Sequence, residues 1–262
     1  MTFSVFCSGS KGNSIAVRSA TTTLLVDLGL SYLQIKRRMA ACGMTPADVD
    51  AVLFTHDHSD HYAALDVFHG RHPTVPLLAN DATAAAIAAA KGVDDGWTVF
   101  ETNTTFEVGD ITVEAFSVPH DASDPVGFLF TADGASLFVA TDFGTVTESV
   151  RQAFRRADAA VLESNHDSEL LATSDRALSL KQRIAGRSGH LSNDDAAALL
   201  RETRPPRLKE ICLAHLSGEC NEPHLAARVM RETAQSIGRG DLRVTTLSQD
   251  VPVGPIAVGA GS

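Results

Sequence analysis

Three imidazoles fall within six positions in His56-Asp57-His58-Ser59-Asp60-His61, directly after the apolar run Ala51-Val52-Leu53-Phe54. Imidazole nitrogen and carboxylate oxygen are the donors that hard or borderline divalent cations accept. Alternation along an extended chain puts His56 and His58 on one side, while Asp60 and His61 turn away at the start of a following helix, toward a second ion. A solvated polar loop is the competing reading. It leaves several costly groups at the mouth of a buried strand with nothing to coordinate them.

Further donors stand where apolar runs end. His120 follows Val118-Pro119, Asp142 follows Leu137-Phe138-Val139-Ala140, and His215 follows Ile211-Cys212-Leu213-Ala214. Strand ends hold side chains to the tolerance a metal centre needs. Singly each is compatible with an ordinary loop; beside the histidine string they point together to one polynuclear site.

The elements that must position these residues follow from periodicity and turn chemistry. Strands are expected at Thr2–Phe6, Ile15–Val17, Thr23–Asp27, Val52–Phe54, Pro76–Leu78, Thr98–Phe100, Phe106–Val108, Ile111–Val118, Gly127–Thr131, Ser136–Ala140, Ala159–Leu162, Ile211–Leu213 and Leu242–Thr246. Helices are expected at Ser31–Ala41, His61–His69, Asp81–Ala90, Thr147–Ala157, a polar region reaching about Arg183, Asp194–Thr203 capped by Ser192, and Glu222–Thr233. Two blocks of strands, each with helices, predict an α/β protein of two sheets packed face to face with helices outside. With 262 residues, 44% of them hydrophobic, and no Pro/Ser/Gly-rich linker, one domain over 1–262 is expected.

Cys7, Cys42, Cys212 and Cys220 form no C-x-x-C pair and read as free, mostly buried thiols, with Cys220 alone near candidate chemistry. With no secretory leader and no membrane-length apolar stretch, the expected location is the cytoplasm, away from membranes. A formal net charge of −10 argues against a protein that coats nucleic acid nonspecifically. The distribution is uneven. Arg176, Lys181, Arg183, Arg187, Arg201, Arg204, Arg207 and Lys209 face only Asp194, Asp195 and Glu202 over the same stretch, which is either a solvated helix surface or a phosphate-binding lip.

The chain resembles the metallo-β-lactamase fold of dinuclear hydrolases, whose five motifs match Asp27 in Leu25-Val26-Asp27-Leu28-Gly29, residues 56–61, His120, Asp142 and His215, in order. The resemblance implies an αββα four-layer sandwich with mixed sheets and the metals at one edge. It also implies two divalent cations, zinc first with manganese or iron open: His56, His58 and His120 on one ion, Asp60, His61 and His215 on the other, Asp142 bridging. Asp27 would orient a ligand imidazole. A bridging carboxylate, where β-lactamases of this fold present cysteine, favours phosphodiester hydrolysis, although glyoxalase II-type thioesterases share it.

Gly189-His190-Leu191-Ser192 and Ala214-His215-Leu216-Ser217 resemble paired elements of the phosphodiesterase branch, and imply His190 as a non-ligand catalytic acid working with a hydroxide shared by the ions, whose proton Asp60 can hold. The phrases Cys7–Ser14, Leu162–Asp167 and His215–Asn221 resemble the WalJ/YycJ-type subgroup, which implies 5′-to-3′ exonuclease activity on DNA and a role in DNA repair. A hydrolase of a small cyclic phosphodiester or thioester, and a silent binding module, are the alternatives; a complete donor set argues against the latter. The 21 positions between His120 and Asp142 and the 72 between Asp142 and His215 leave no room for a long substrate arm or a large cap domain. Glu163 is read either as a partner of His190 or as part of a structural salt bridge, His166 either as a substrate contact or as a surface-loop residue, and His69, His72 and His224 as surface groups.

Overall fold

Runs such as Leu24-Leu25-Val26 and Leu137-Phe138-Val139-Ala140 have no polar face, and both of their faces are buried. The computed structural model describes residues 1–259; the last three residues of the expected 1–262 domain lie outside the described residues. The first sheet is built from β1 (Thr2–Cys7), β2 (Ser14–Arg18), β3 (Thr23–Val26), β4 (Ala51–Leu53), β5 (Leu77–Ala79) and β6 (Trp97–Val99). The second comprises β7 (Thr105–Val108), β8 (Ile111–Ser117), β9 (Val126–Ala132), β10 (Ala135–Ala140), β11 (Ala159–Glu163), β12 (Glu210–Ala214) and β13 (Arg243–Thr246). A last strand, β14 (Val253–Ala257), returns to the first sheet and pairs antiparallel with β1.

Both sheets are mixed in the same way. The run β1-β2-β3 is antiparallel and β3-β4-β5-β6 parallel; β7-β8-β9-β10 is antiparallel and β10-β11-β12-β13 parallel. Alternation sends Leu24, Val26, Leu137 and Val139 into the core between the sheets. Leu25 faces outward onto Ile35 and Met39 of α1 (Tyr32–Ala41), in a layer shared with α2 (Ser59–Tyr62), α3 (Leu65–Arg71) and α4 (Asp81–Lys91). Phe138 packs on the other side against Phe154 of α5 (Glu148–Arg155), its ring 5.2 Å away centre to centre. That outer layer continues through α8 (Asn193–Thr203) and α9 (Pro223–Ser236), and α6 (Ser168–Thr173) with α7 (Leu178–Ile184) lies between β11 and α8 in sequence. The expected four-layer order therefore holds.

The chain departs from the expected elements in three places. The helix expected at His61–His69 breaks into α2 and α3, because its carbonyls are claimed elsewhere: Asp60 O accepts from Asn13 N (2.9 Å), His61 O from Leu28 N (2.7 Å), and Ala64 N turns to Leu28 O. The polar region before Arg183 forms two short helices rather than one. Strand β14 had no sequence signal, since Gly254 and Pro255 interrupt it; proline is tolerated at a sheet edge, where its missing N–H costs no ladder bond.

Candidate metal centre

Parallel pairing of β3 with β4, and of β10, β11 and β12 with one another, brings their C-terminal ends to one rim. Asp27, Asp142 and His215 step off β3, β10 and β12 there with φ of 62°, 60° and 54°. The left-handed region is unfavourable for residues with a Cβ and persists where surrounding structure over-determines it, often at functional sites.

The histidine string leaves β4 through Thr55. His56 and His58 lie on one side with ring centres 4.7 Å apart, and Asp57 points away, accepting from Ser123 N and Oγ at 3.0 and 2.7 Å. Asp27 is buried and accepts three hydrogen bonds, from Thr55 N (2.9 Å), Thr55 Oγ1 (2.9 Å) and His61 Nδ1 (2.8 Å). Those bonds fix the His61 tautomer, with Nε2 turned to Asp142 Oδ2 (3.4 Å) and Asp60 Oδ2 (3.8 Å). Thr55 Oγ1 stands 3.0 Å from His56 Nδ1, so the opposite nitrogen of that ring faces the centre. His120 donates through Nδ1 to Gly189 O (3.1 Å) and brings Nε2 within 3.3 Å of His58 Nδ1.

Across the rim, His215 Nδ1 lies 3.3 Å from Asp142 Oδ1 and 3.1 Å from Glu163 Oε1, while its backbone N–H donates to Ser8 Oγ (2.8 Å). The same Glu163 Oε1 accepts from His190 Nδ1 at 2.7 Å, and its Oε2 accepts from Phe143 N. Glu163 is thus the His190 partner the sequence left open, and it orients His215 as well. His56, His58 and His120 can hold one ion; His56, His61 and Asp142 converge beside it; Asp142, Glu163, His190 and His215 form a third group.

Electrostatics fit this use at His56, His120 and Asp142, while His61 must release a proton before it can ligate. Burial, and then the neighbouring His61, push the His56 pKa well below its usual value, leaving the neutral ring that a ligand must be. Burial lowers His120 in the same sense. Burial opposes charge on His61, but Asp27 and Asp142 overcome it and hold its pKa well above normal. Burial also opposes ionisation of Asp142, and His215 and His61 reverse that. At His190 burial is again outweighed, by Glu163, which lifts the imidazole to about 9.

Three buried atoms at this rim have no hydrogen-bond partner among the described residues: His56 Nε2, Asp142 Oδ2 and His215 Nε2. Each such group costs about 1–3 kcal/mol if left unmet. His56, Asp142 and His215 each belong to a group of converging donors, so the residues fit divalent cations.

Supports that sequence reading missed include Thr55, Asn13 and Ser8. Asn13 Nδ2 lies 3.0 Å from His61 Nε2 and 3.4 Å from Asp60 Oδ2. Gly29 is held against this loop so closely that a Cβ there would lie 1.7 Å from Asp60 O. The Cys7–Ser14 phrase carried that signal without its reason. His166 is no surface-loop residue: it is buried beside Ser192. His69 is buried with Nε2 on Asp95 (3.0 Å), and His72 is half-buried against Tyr32, its Nε2 at 2.9 Å from the hydroxyl; only His224 of these three is exposed as expected. All four cysteines are buried, Cys220 in a small cluster with Leu171 and Ile184. The basic stretch divides. Arg176 and Arg183 line a cleft with His190, whereas Lys209 precedes β12 at the opposite end of the sheet from His215.

Two mixed sheets face to face with helices outside define the metallo-β-lactamase fold. Residues 22–212 match the family described as a beta-lactamase superfamily domain. The exodeoxyribonuclease WalJ of Streptococcus pneumoniae serotype 2 strain D39 is 39% identical over 255 residues, covering 95% of this chain and 94% of that protein. The exodeoxyribonuclease YycJ of Bacillus anthracis is 35% identical over 240 residues, 91% and 90% of the two chains. Among solved structures, the metallo-beta-lactamase fold protein YhfI from Bacillus subtilis superimposes with a TM-score of 0.69 at 16% identity, over 96% of this chain and 99% of that one, a likeness of fold alone. The chain belongs to the beta-lactamase superfamily, in its WalJ/YycJ branch, and is a metal-dependent hydrolase. No helix among the described residues is long and apolar enough to cross a membrane.

Proposed function

We propose that this chain is a dinuclear phosphodiesterase that degrades DNA in the 5′-to-3′ direction. His56, His58 and His120 would hold one divalent cation, Asp60, His61 and His215 the other, and Asp142 both, with zinc the first expectation and manganese or iron compatible with the same donors. Bound there, the cations supply Lewis acidity toward the phosphoryl oxygens and lower the pKa of water.

The observation that carries the reading is the fork at Glu163, whose Oε1 lies 2.7 Å from His190 Nδ1 and 3.1 Å from His215 Nδ1. One carboxylate thereby fixes a ligand ring and a neighbouring ring that is left for acid chemistry. His190 lines the cleft and delivers a proton from Nε2 to the leaving oxygen, while Glu163 stabilises the ring's charge. Asp60, whose Oδ1 has no hydrogen-bond partner among the described residues, takes the proton of the attacking water. The relatives named exodeoxyribonucleases support DNA as the substrate.

Incubating metal-loaded protein with duplex DNA labelled at either end, and separately with a small cyclic phosphodiester and a thioester, tests the proposal. Mononucleotide release beginning at the 5′ label, with two equivalents of metal per chain by elemental analysis, is expected. Turnover of the small substrates alone would overturn it.

A further inference from the structure

Beside His190 lies a cavity of about 160 Å³ lined by Ser10, Asp121, Asn165, Arg176, Arg183 and Ser217, among others. A single water occupies about 10–15 Å³ on such a measure, so the space takes a tetrahedral anion with part of its hydration. Two guanidinium groups enter it from the same segment between β11 and α8: Arg176 precedes α7 and Arg183 sits in its last turn. Each is tethered by one edge only. Arg176 Nε donates to Glu219 Oε2 (3.0 Å) and Arg183 Nε to Asp121 Oδ2 (2.6 Å), and neither side chain uses a terminal nitrogen in a hydrogen bond among the described residues. That segment is anchored, with Ile184 packed on Leu171 and Cys220. Asp121 also lies 3.4 Å from His120 Nε2, which sets Arg183 one residue away from the expected ligands.

From this geometry we infer that Arg176 and Arg183 form a phosphate clamp beside the scissile position, binding a phosphate of the DNA backbone through their free terminal nitrogens. A guanidinium held by Nε presents its remaining N–H groups as a planar fork matched to phosphate oxygens. Lys181 is spent on Ala172 O and Arg207 on Gly134 O and Arg156 O, while Arg187, Arg201, Arg204 and Lys209 line neither this cavity nor the recess beside it. Ser10 and Ser217 line both this cavity and an adjoining, more apolar recess of about 360 Å³ that includes Lys11, Leu216, Leu247 and Gln249. A nucleoside next to the clamped phosphate fits that recess. The inference rests on the phosphodiesterase reading above.

Steady-state kinetics on duplex DNA with 5′-phosphate or 5′-hydroxyl ends should show KM rising about tenfold to a hundredfold in Arg183→Gln and Arg176→Gln, the range for a lost charge-assisted hydrogen bond. The change in kcat should stay within about threefold, and Arg183→Lys, which keeps charge but loses the fork, should fall between. A penalty confined to 5′-phosphate ends assigns the clamp to a terminal phosphate; one shared by both ends assigns it to an internal phosphodiester. Metal content and melting temperature should match wild type. The clamp is overturned if KM does not move, or if Arg201→Gln, an exposed change on α8, raises KM as much, since diffuse charge would then explain the effect. Failure of the metal-loaded wild type to cleave any phosphodiester sinks the underlying reading instead.

Discussion

Replacing Asp27 with asparagine isolates the energetic role of a residue expected to touch no metal. Asparagine tolerates the left-handed backbone that position 27 adopts, so the substitution adds little strain. It does change donor and acceptor roles. Asp27 Oδ1 accepts from Thr55 N, and Oδ2 accepts from both Thr55 Oγ1 and His61 Nδ1. With the amide oxygen kept by Thr55 N, the new NH₂ group faces two donors. His61 must then give up its Nδ1 proton and carry it on Nε2, the nitrogen turned toward Asp60 and Asp142. Loss of such a supporting bond costs about 10–100-fold in metal affinity, or about 1.4–2.7 kcal/mol. The larger loss should fall on the ion that His61 would hold, because Thr55 Oγ1 can accept from the new NH₂ while keeping its place beside His56 Nδ1, and His120 is held by Gly189 O. Chelator competition titrations resolving two binding steps should show one step shifted by that factor and the other moved by less than about threefold. Unchanged affinity at both steps, or equal loss at both, would refute the reasoning.

His190→Ala should retain full metal content and lose about 10²–10⁴-fold in turnover on DNA; equal activity in wild type and variant removes His190 from the chemistry. Gly29→Ala should lower stability by about 1–3 kcal/mol or more, since its Cβ would lie 1.7 Å from Asp60 O, and an unchanged urea midpoint would contradict that packing. Burial pushes the Cys7 thiol up to about 12 and raises Cys212 in the same direction, so thiolate is scarce at pH 8; thiol titration of the folded protein should label neither, and rapid labelling would show that the sheet edges open.

The gathering of His56, His58, His61, His120, Asp142 and His215 was legible because they stand at or just beyond the ends of apolar runs, and such runs betray strand ends from local sequence alone. What holds those donors was legible only in part: Asp27 was expected to orient a ligand imidazole and Glu163 was one reading for a partner of His190, and both contacts are present. Ser8 meets the backbone of His215 across 207 positions, and the second reach of Glu163, to His215, comes from packing that no periodicity reports. The break between α2 and α3 escaped for the same reason, because remote N–H groups of Asn13 and Leu28 outcompete the helix for its own carbonyls. His69 looked like a surface group because its spacing on a short helix does not reveal Asp95 packing over it. Strand β14 fell to its Gly-Pro pair, which reads as a turn until a sheet edge is known to be waiting.

Asp27, Asp142 and His215 each hold a backbone conformation that glycine would adopt without the penalty of about 1–3 kcal/mol charged to other residues. Directed evolution of this chain for heat resistance, without a simultaneous demand for turnover, should relieve Asp142 first, whose buried Oδ2 has no hydrogen-bond partner among the described residues, whereas Asp27 is kept by the three hydrogen bonds it accepts. Hardier variants would emerge that have surrendered the centre, so any engineering campaign must couple its thermal screen to an activity screen.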